Sequence, residues 1–202
     1  MPASKPFIEK EYNNYPVHYF AQVAAWHTWL LKNADKVPKI RMVIFNRSSG
    51  IPSVSYAEAL EEALCFGWID SKINKRDSQS HYQFWTPHNP KSNWSRVNKQ
   101  KIEKLMTEGR MQPAGLRMVA LARETGTRDA LKEVEEGIIP PGLQQALQGY
   151  PDAAAFFEAF PRSVRRAILE RLLNAKTADT QQKRIAQIAA MAQQNKRFGF
   201  TG

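Results

Sequence analysis

Between residues 55 and 87 the chain changes its apolar period, and that change points to strands beside the helices. Ser55-Tyr-Ala-Glu58 has the form of a capping box, in which the Ser55 hydroxyl accepts from the Glu58 amide and the Glu58 carboxylate reaches back to the Ser55 amide. The helix it opens carries Ala59, Leu60, Ala63, Leu64 and Phe66 inward. Glu58, Glu61 and Glu62 fall in its early turns, where the helix dipole favours them, and Gly67 stops it. Trp68–Lys75 and His81–Thr86 then read as two strands about the polar loop Arg76-Asp-Ser-Gln-Ser80. A helix that feeds a hairpin specifies an α+β unit.

The flanking sequence sets the rest of the layout. Residues 1–17 lack an apolar period and hold three prolines, which predicts an extended arm. From Tyr19 the positions Phe20, Val23, Ala24, Trp26, Leu30 and Leu31 recur at helical spacing as far as Asp35. Ile40–Phe45 has the length and character of a strand, with a helical turn as the alternative. Helices are expected from Ser92–Ser95 to Thr107 and from Pro113 to Gly126. The acidic stretch Glu133–Gly137 and Ile138-Ile-Pro-Pro141 mark a boundary, after which the pattern is helical: Pro141–Leu147, Pro151–Phe160, Pro161–Lys176, and a last helix opened by a second capping box, Asp179-Thr-Gln-Gln182. The expected organisation is an arm (1–17), an α+β region with a small hairpin or sheet (18–135) and a C-terminal helical bundle (136–202). The fold class is α+β, predominantly α-helical.

The net charge of +10 is unevenly spread. Residues 1–70 are balanced, whereas residues 90–128 hold nine basic against three acidic side chains and residues 162–202 hold nine against two. Such fields favour an anionic ligand or nucleic acid as partner. No run of apolar residues reaches the ~18 needed for a transmembrane helix, and the N-terminal stretch lacks the apolar core of a secretory signal. A single cysteine makes no internal disulfide, so a reducing cytoplasm is the expected compartment. The sequence carries no signal for oligomeric state.

Three pieces carry a family resemblance: Tyr56-Ala-Glu-Ala-Leu with Ala63-Leu-Cys-Phe-Gly-Trp-Ile-Asp70; Phe84–Asn98, FWTPHNPKSNWSRVN; and Glu108-Gly-Arg-Met-Gln-Pro-Ala-Gly115. They resemble the bacterial YdeI/OmpD-associated, or bacteriocin-protection, family over roughly Trp26 to Gln194. Ala175-Lys-Thr-Ala-Asp-Thr180 and Lys183-Arg-Ile185 look like the helical domain that closes such proteins. The resemblance implies a part in resistance to bacteriocins or cationic antimicrobial peptides and brings no catalytic residue set. The chain departs from the family pattern where arginines are usual: Phe84, Trp85 and His88 stand around Thr86-Pro87, and Gln181 follows Thr180. An anion site built on those arginines would have to use His88 and nearby lysines.

Motifs for metal, phosphate-loop, dinucleotide and serine-hydrolase chemistry are absent: His18, His27, His81 and His88 have no ligand spacing, and no cofactor is implied. Cys65, between Leu64 and Phe66 at a helix C-terminus, reads as a buried small hydrophobe, because a helix C-terminus raises a thiol pKa. Aromatic and basic residues interleave at Trp68, Tyr82, Phe84, Trp85, Trp94, Lys91, Arg96 and Lys99. That composition suits stacking of bases with cations on phosphates, against the alternative that the tryptophans are core. Arg162, Arg165, Arg166, Arg171, Lys183, Arg184, Lys196 and Arg197 give the C-terminal helices a basic face that suits nucleic acid, anionic lipid or solvent. The leading reading is a non-enzymatic protein that binds an anionic or nucleotide-like ligand through Trp85, His88, Lys91, Trp94, Arg96 and Asp70. The alternatives are an enzyme using Cys65, Asp70 and His88, and a protein-interaction module.

Overall fold

The computed structural model describes residues 6–199, and the chain divides into two compact units between Asp129 and Ala130. The first unit holds a five-stranded mixed sheet. In chain order its elements are β1 (Glu11–Tyr12), β2 (Tyr15–Tyr19), α1 (Val23–Asn33), β3 (Ile40–Phe45), α2 (Tyr56–Cys65), β4 (Trp68–Lys75), β5 (Ser80–Pro87), α3 (Arg96–Thr107) and α4 (Pro113–Glu124). The sheet order is β1-β2-β3-β5-β4; only β2 and β3 run parallel, joined through α1. The fold class is therefore α+β, with the hairpin of β4 and β5 enlarged into a sheet.

Residues 11–17, expected as part of an extended arm, form instead β1, a turn and the start of β2, which runs on through Tyr19, where a helix was expected to begin. Asn13 and Asn14 adopt left-handed φ of 49° and 61°, so two residues suffice to turn β1 into β2, and Tyr12 pairs with Tyr15. Asn tolerates this conformation better than most residues do.

Ile40–Phe45 is a strand and not a helical turn, and all six of its residues are buried. Ile40, Met42 and Ile44 face a core with Trp26, Leu30, Leu60, Leu64, Trp68 and Trp85. Trp26 and Trp68 satisfy their indole N–H groups on carbonyls of the neighbouring elements, Ala59 and Ala34, each at 3.1 Å. Truncating a core tryptophan of this kind costs ~3–5 kcal/mol. On the opposite side of the sheet Val43 and Phe45 join Val17 and Tyr82, with Ile8 and Tyr12 against them. Glu9 holds that cover in place: it accepts from Tyr82 Oη and pairs with Arg76 Nη2 at 2.8 Å.

The second unit holds α5 (Lys132–Glu136), α6 (Pro141–Gln148), α7 (Ala153–Ala159), α8 (Arg162–Leu173) and α9 (Ala178–Gln193) around a core of its own, with Leu143, Phe157, Ile168, Leu172 and Ala189 fully buried. The acidic segment expected to be a boundary forms α5, whose Val134 is buried in that core. The second capping box is also corrected. Thr177, not Asp179, is the N-cap, its hydroxyl accepting from the Thr180 amide at 3.1 Å.

Candidate functional site

The loop from β5 to α3 brings two of the expected ligand residues together. Gly67, at φ 74°, turns its carbonyl to the His88 amide at 2.8 Å. Asn89 shapes the next turn, its side chain accepting from the Lys91 amide and its carbonyl from the Ser92 hydroxyl. Ser95 then caps α3 by accepting from the Asn98 amide. These contacts place the His88 and Trp94 rings 4.8 Å apart.

Both rings line a cavity of about 10 Å³ with Leu64, Asn98, Ile102 and Gly115, room for roughly one water-sized group. Trp94 is 3% exposed and His88 9%, and neither Trp94 Nε1 nor His88 Nδ1 has a hydrogen-bond partner among the described residues. Burial pushes the His88 imidazole below its ordinary value, partly offset by the Asn89 backbone. Lys91 and Arg96 are exposed on the same loop and helix start.

Asp70 and Trp85 form a separate pair across β4 and β5. Tyr56 donates to Asp70 Oδ2 at 3.0 Å, and burial together with the Asp70 charge raises the Tyr56 phenol to about 12. Trp85 is wholly buried and its Nε1 is also unpartnered among the described residues. The six expected residues thus split into a corner (His88, Trp94, Lys91, Arg96) and a strand pair (Asp70, Trp85). Neither Trp85 nor Trp94 turns an open ring face to solvent, so the expected stacking of a base on them has no surface to use.

Cys65 is 1% exposed, and burial, with Glu62 next, raises its thiol to about 12. No histidine hydrogen-bonds its sulfur among the described residues, so the constellation of Cys65, Asp70 and His88 is not assembled. The sequence reading missed a carboxylate instead. Glu62, read as a dipole partner, is 7% exposed; it holds His27 Nδ1 at 2.5 Å and Arg110 at 3.4 Å. Glu61 beside it takes Lys101 and Arg110. Nothing in the linear spacing of residues 27, 62 and 110 signals this cluster. Among the described residues no group of three or more His, Cys, Asp or Glu is placed to hold a metal.

Residues 18–118, half of the chain, match the family model described as Domain of unknown function (DUF8412). Residues 136–195 match the model described as Bacteriocin-protection, YdeI or OmpD-Associated. The chain belongs to the DUF8412 family and carries a YdeI/OmpD-associated domain. No curated protein and no solved structure matches it.

The division corrects the extent of the resemblance. The motifs at 63–70, 84–98 and 108–115 all lie within the DUF8412 match, together with all six expected ligand residues. The YdeI/OmpD-associated match covers α6 to α9 and the last residue of α5. No helix among the described residues is long and apolar enough to cross a membrane.

Proposed function

We propose that this protein acts in bacteriocin protection, as the name of its C-terminal family suggests, and that it does so by binding an anionic ligand at the corner between β5 and α3 without catalysing a reaction. The observation that supports this reading is the pair of buried ring nitrogens, Trp94 Nε1 and His88 Nδ1, on two rings that both line one small cavity. An indole N–H can only donate, and leaving such a group buried without an acceptor costs ~1–3 kcal/mol. An oxygen of an incoming anion would recover that cost, accepting from Trp94 and from His88 in the tautomer protonated on Nδ1. The cavity has the size of one such oxygen, so the rest of the ligand would lie outside it, beside Lys91 and Arg96. The excess of basic residues between 90 and 128 draws anions to this side of the chain.

Intrinsic fluorescence tests the reading. Nucleotides, single-stranded and duplex oligonucleotides and heparin are titrated at two salt concentrations into the protein and its Trp94→Phe, His88→Asn and Lys91→Gln variants. A saturable response to one class, weakened tenfold or more by the variants, is expected. A response shared by every polyanion and abolished by salt, or no response, overturns the proposal.

A further inference from the structure

The opposite face of the sheet carries a buried cation without a counter-ion among the described residues. Arg41, the second residue of β3, is 3% exposed, and its Nε and Nη1 have no hydrogen-bond partner among the described residues. Its guanidinium is held by rings: the Phe84 centroid lies 3.5 Å from Cζ, Tyr12 4.8 Å and Tyr15 5.0 Å. Burial lowers the Arg41 pKa, and the groups that oppose this are the phenols of Tyr12, Tyr15 and Tyr82, not a carboxylate. Glu9, the carboxylate that packs on this face among the described residues, is committed to Arg76 and Tyr82. A second cation stands at the rim. Lys39 Nζ lies 4.1 Å from the Tyr15 ring centroid and donates to Tyr15 Oη at 2.7 Å.

Structural packing alone does not account for this arrangement. Aromatic faces attract a guanidinium but accept no directed hydrogen bond from its edge, and an unpartnered buried charge costs several kcal/mol. Two cations share one tyrosine and converge from different elements, β3 and the loop before it. Tyr12, Tyr15, Phe84 and Lys39 are only half-buried, so the rim of this box reaches the surface while Arg41 forms its floor. The hairpin of β1 and β2, turned by Asn13 and Asn14, carries both tyrosines and forms one wall.

We propose that Arg41, Lys39 and the Tyr15 hydroxyl form a binding site for a phosphate-type oxyanion, either free or as the phosphoryl group of a small ester. The oxyanion accepts from the free guanidinium N–H groups and from the lysine, which turns from Tyr15 to it. Tyr15, released as acceptor, donates an O–H hydrogen bond to a third oxygen. The site is distinct from the corner formed by His88 and Trp94 and does not depend on it.

Isothermal titration with inorganic phosphate and with adenosine monophosphate, at fixed ionic strength, tests the site in the full chain. Saturable binding is expected, weakened tenfold or more in Arg41→Met and in Lys39→Met and unchanged in Trp94→Phe. Equal affinity for the two probes assigns the site to the free oxyanion, and tighter binding of the ester assigns it to the phosphoryl group of a larger molecule. Absence of saturable binding, a smaller loss in both variants, or a loss in Trp94→Phe overturns the proposal. Should Arg41→Met fail to fold, Lys39→Met, at the half-buried rim, decides.

Discussion

Gly115 lies so close to Cys65 that a Cβ on the glycine would stand 2.2 Å from the Cys65 carbonyl oxygen. The same oxygen accepts from the Gln112 amide at 2.9 Å. The end of α2 is thus received by the start of α4, and two motifs that look separate in the sequence, ALCFGWID and EGRMQPAG, are halves of one joint. Cys65 belongs to that joint as a small buried side chain.

Gly115→Ala drives a methyl group into the Cys65 backbone, which cannot move aside as the end of the nearby Met111 side chain can. Overpacking of this kind costs ~1–3 kcal/mol. A fall in the urea midpoint of unfolding, with helical content retained at zero denaturant, is the expected outcome. A variant within ~0.5 kcal/mol of the parent, the range of an innocuous substitution, would contradict the geometry.

Cys65 is expected to resist a thiol reagent in the native protein and to react at once in denaturant. Its ionisation also has a stability consequence. The native thiol titrates at about 12, up from 9.0. Above pH 9 the unfolded chain therefore loses a proton that the folded chain keeps, and stability falls as pH rises toward 12. Tyr56 and Tyr82, both raised to about 12 from 10.0, add to the loss only about a pH unit later. Cys65→Ala should remove the part of the slope that begins near pH 9. An unchanged slope would mean that the thiol is less shielded than the structure shows.

How much was legible depended on whether the signal was local. The capping box of Ser55 and Glu58, the stop at Gly67, the pair of strands about residues 76–80 and the start of α3 after Ser92–Ser95 are all set by neighbours within a few residues, and the structure contains each of them. The β1–β2 hairpin was hidden because Asn13-Asn14 turns the chain without a glycine, beside a proline that reads as irregular. Trp85 was ambiguous because both faces of β5 are covered: Tyr82 and Gln83 are buried alike, so alternation carries no sign. The unpartnered nitrogens of Arg41, His88 and Trp94, and the contact of Glu62 with His27, arise from residues far apart in the chain. No spacing rule contains them.

The N-cap of α9 separates two readings of one sequence. Thr177→Ala removes the acceptor of the Thr180 amide and should cost ~1 kcal/mol, whereas Asp179→Ala, at an exposed first-turn position, should cost only a few tenths. Thermal or urea unfolding of the two variants measures the difference. Equal effects, or a larger one at Asp179, would restore the capping box that the sequence suggested.

Acid should lower the stability of the protein in two stages whose order follows from the direction of each shift. His18, His81 and His88 are all lowered from 6.5 by burial, so the unfolded chain takes up protons first and stability declines as pH falls below 6.5. Glu9 follows. Hydrogen bonding to Arg76, the largest influence, and to Tyr82 brings its carboxyl from 4.5 to about 2. Its contribution is complete above pH 4.5 and is lost as pH descends toward 2. Arg76 also donates to the Phe7 carbonyl, so the same contact fastens residues 7–9 over the outer face of the sheet. Glu9→Gln should therefore be less stable than the parent at pH 7, approach it near pH 2, and expose residues 7–9 to proteolysis at both pH values. A gap that stays constant from pH 7 to pH 2 would show that Glu9 acts through packing and not through its charge.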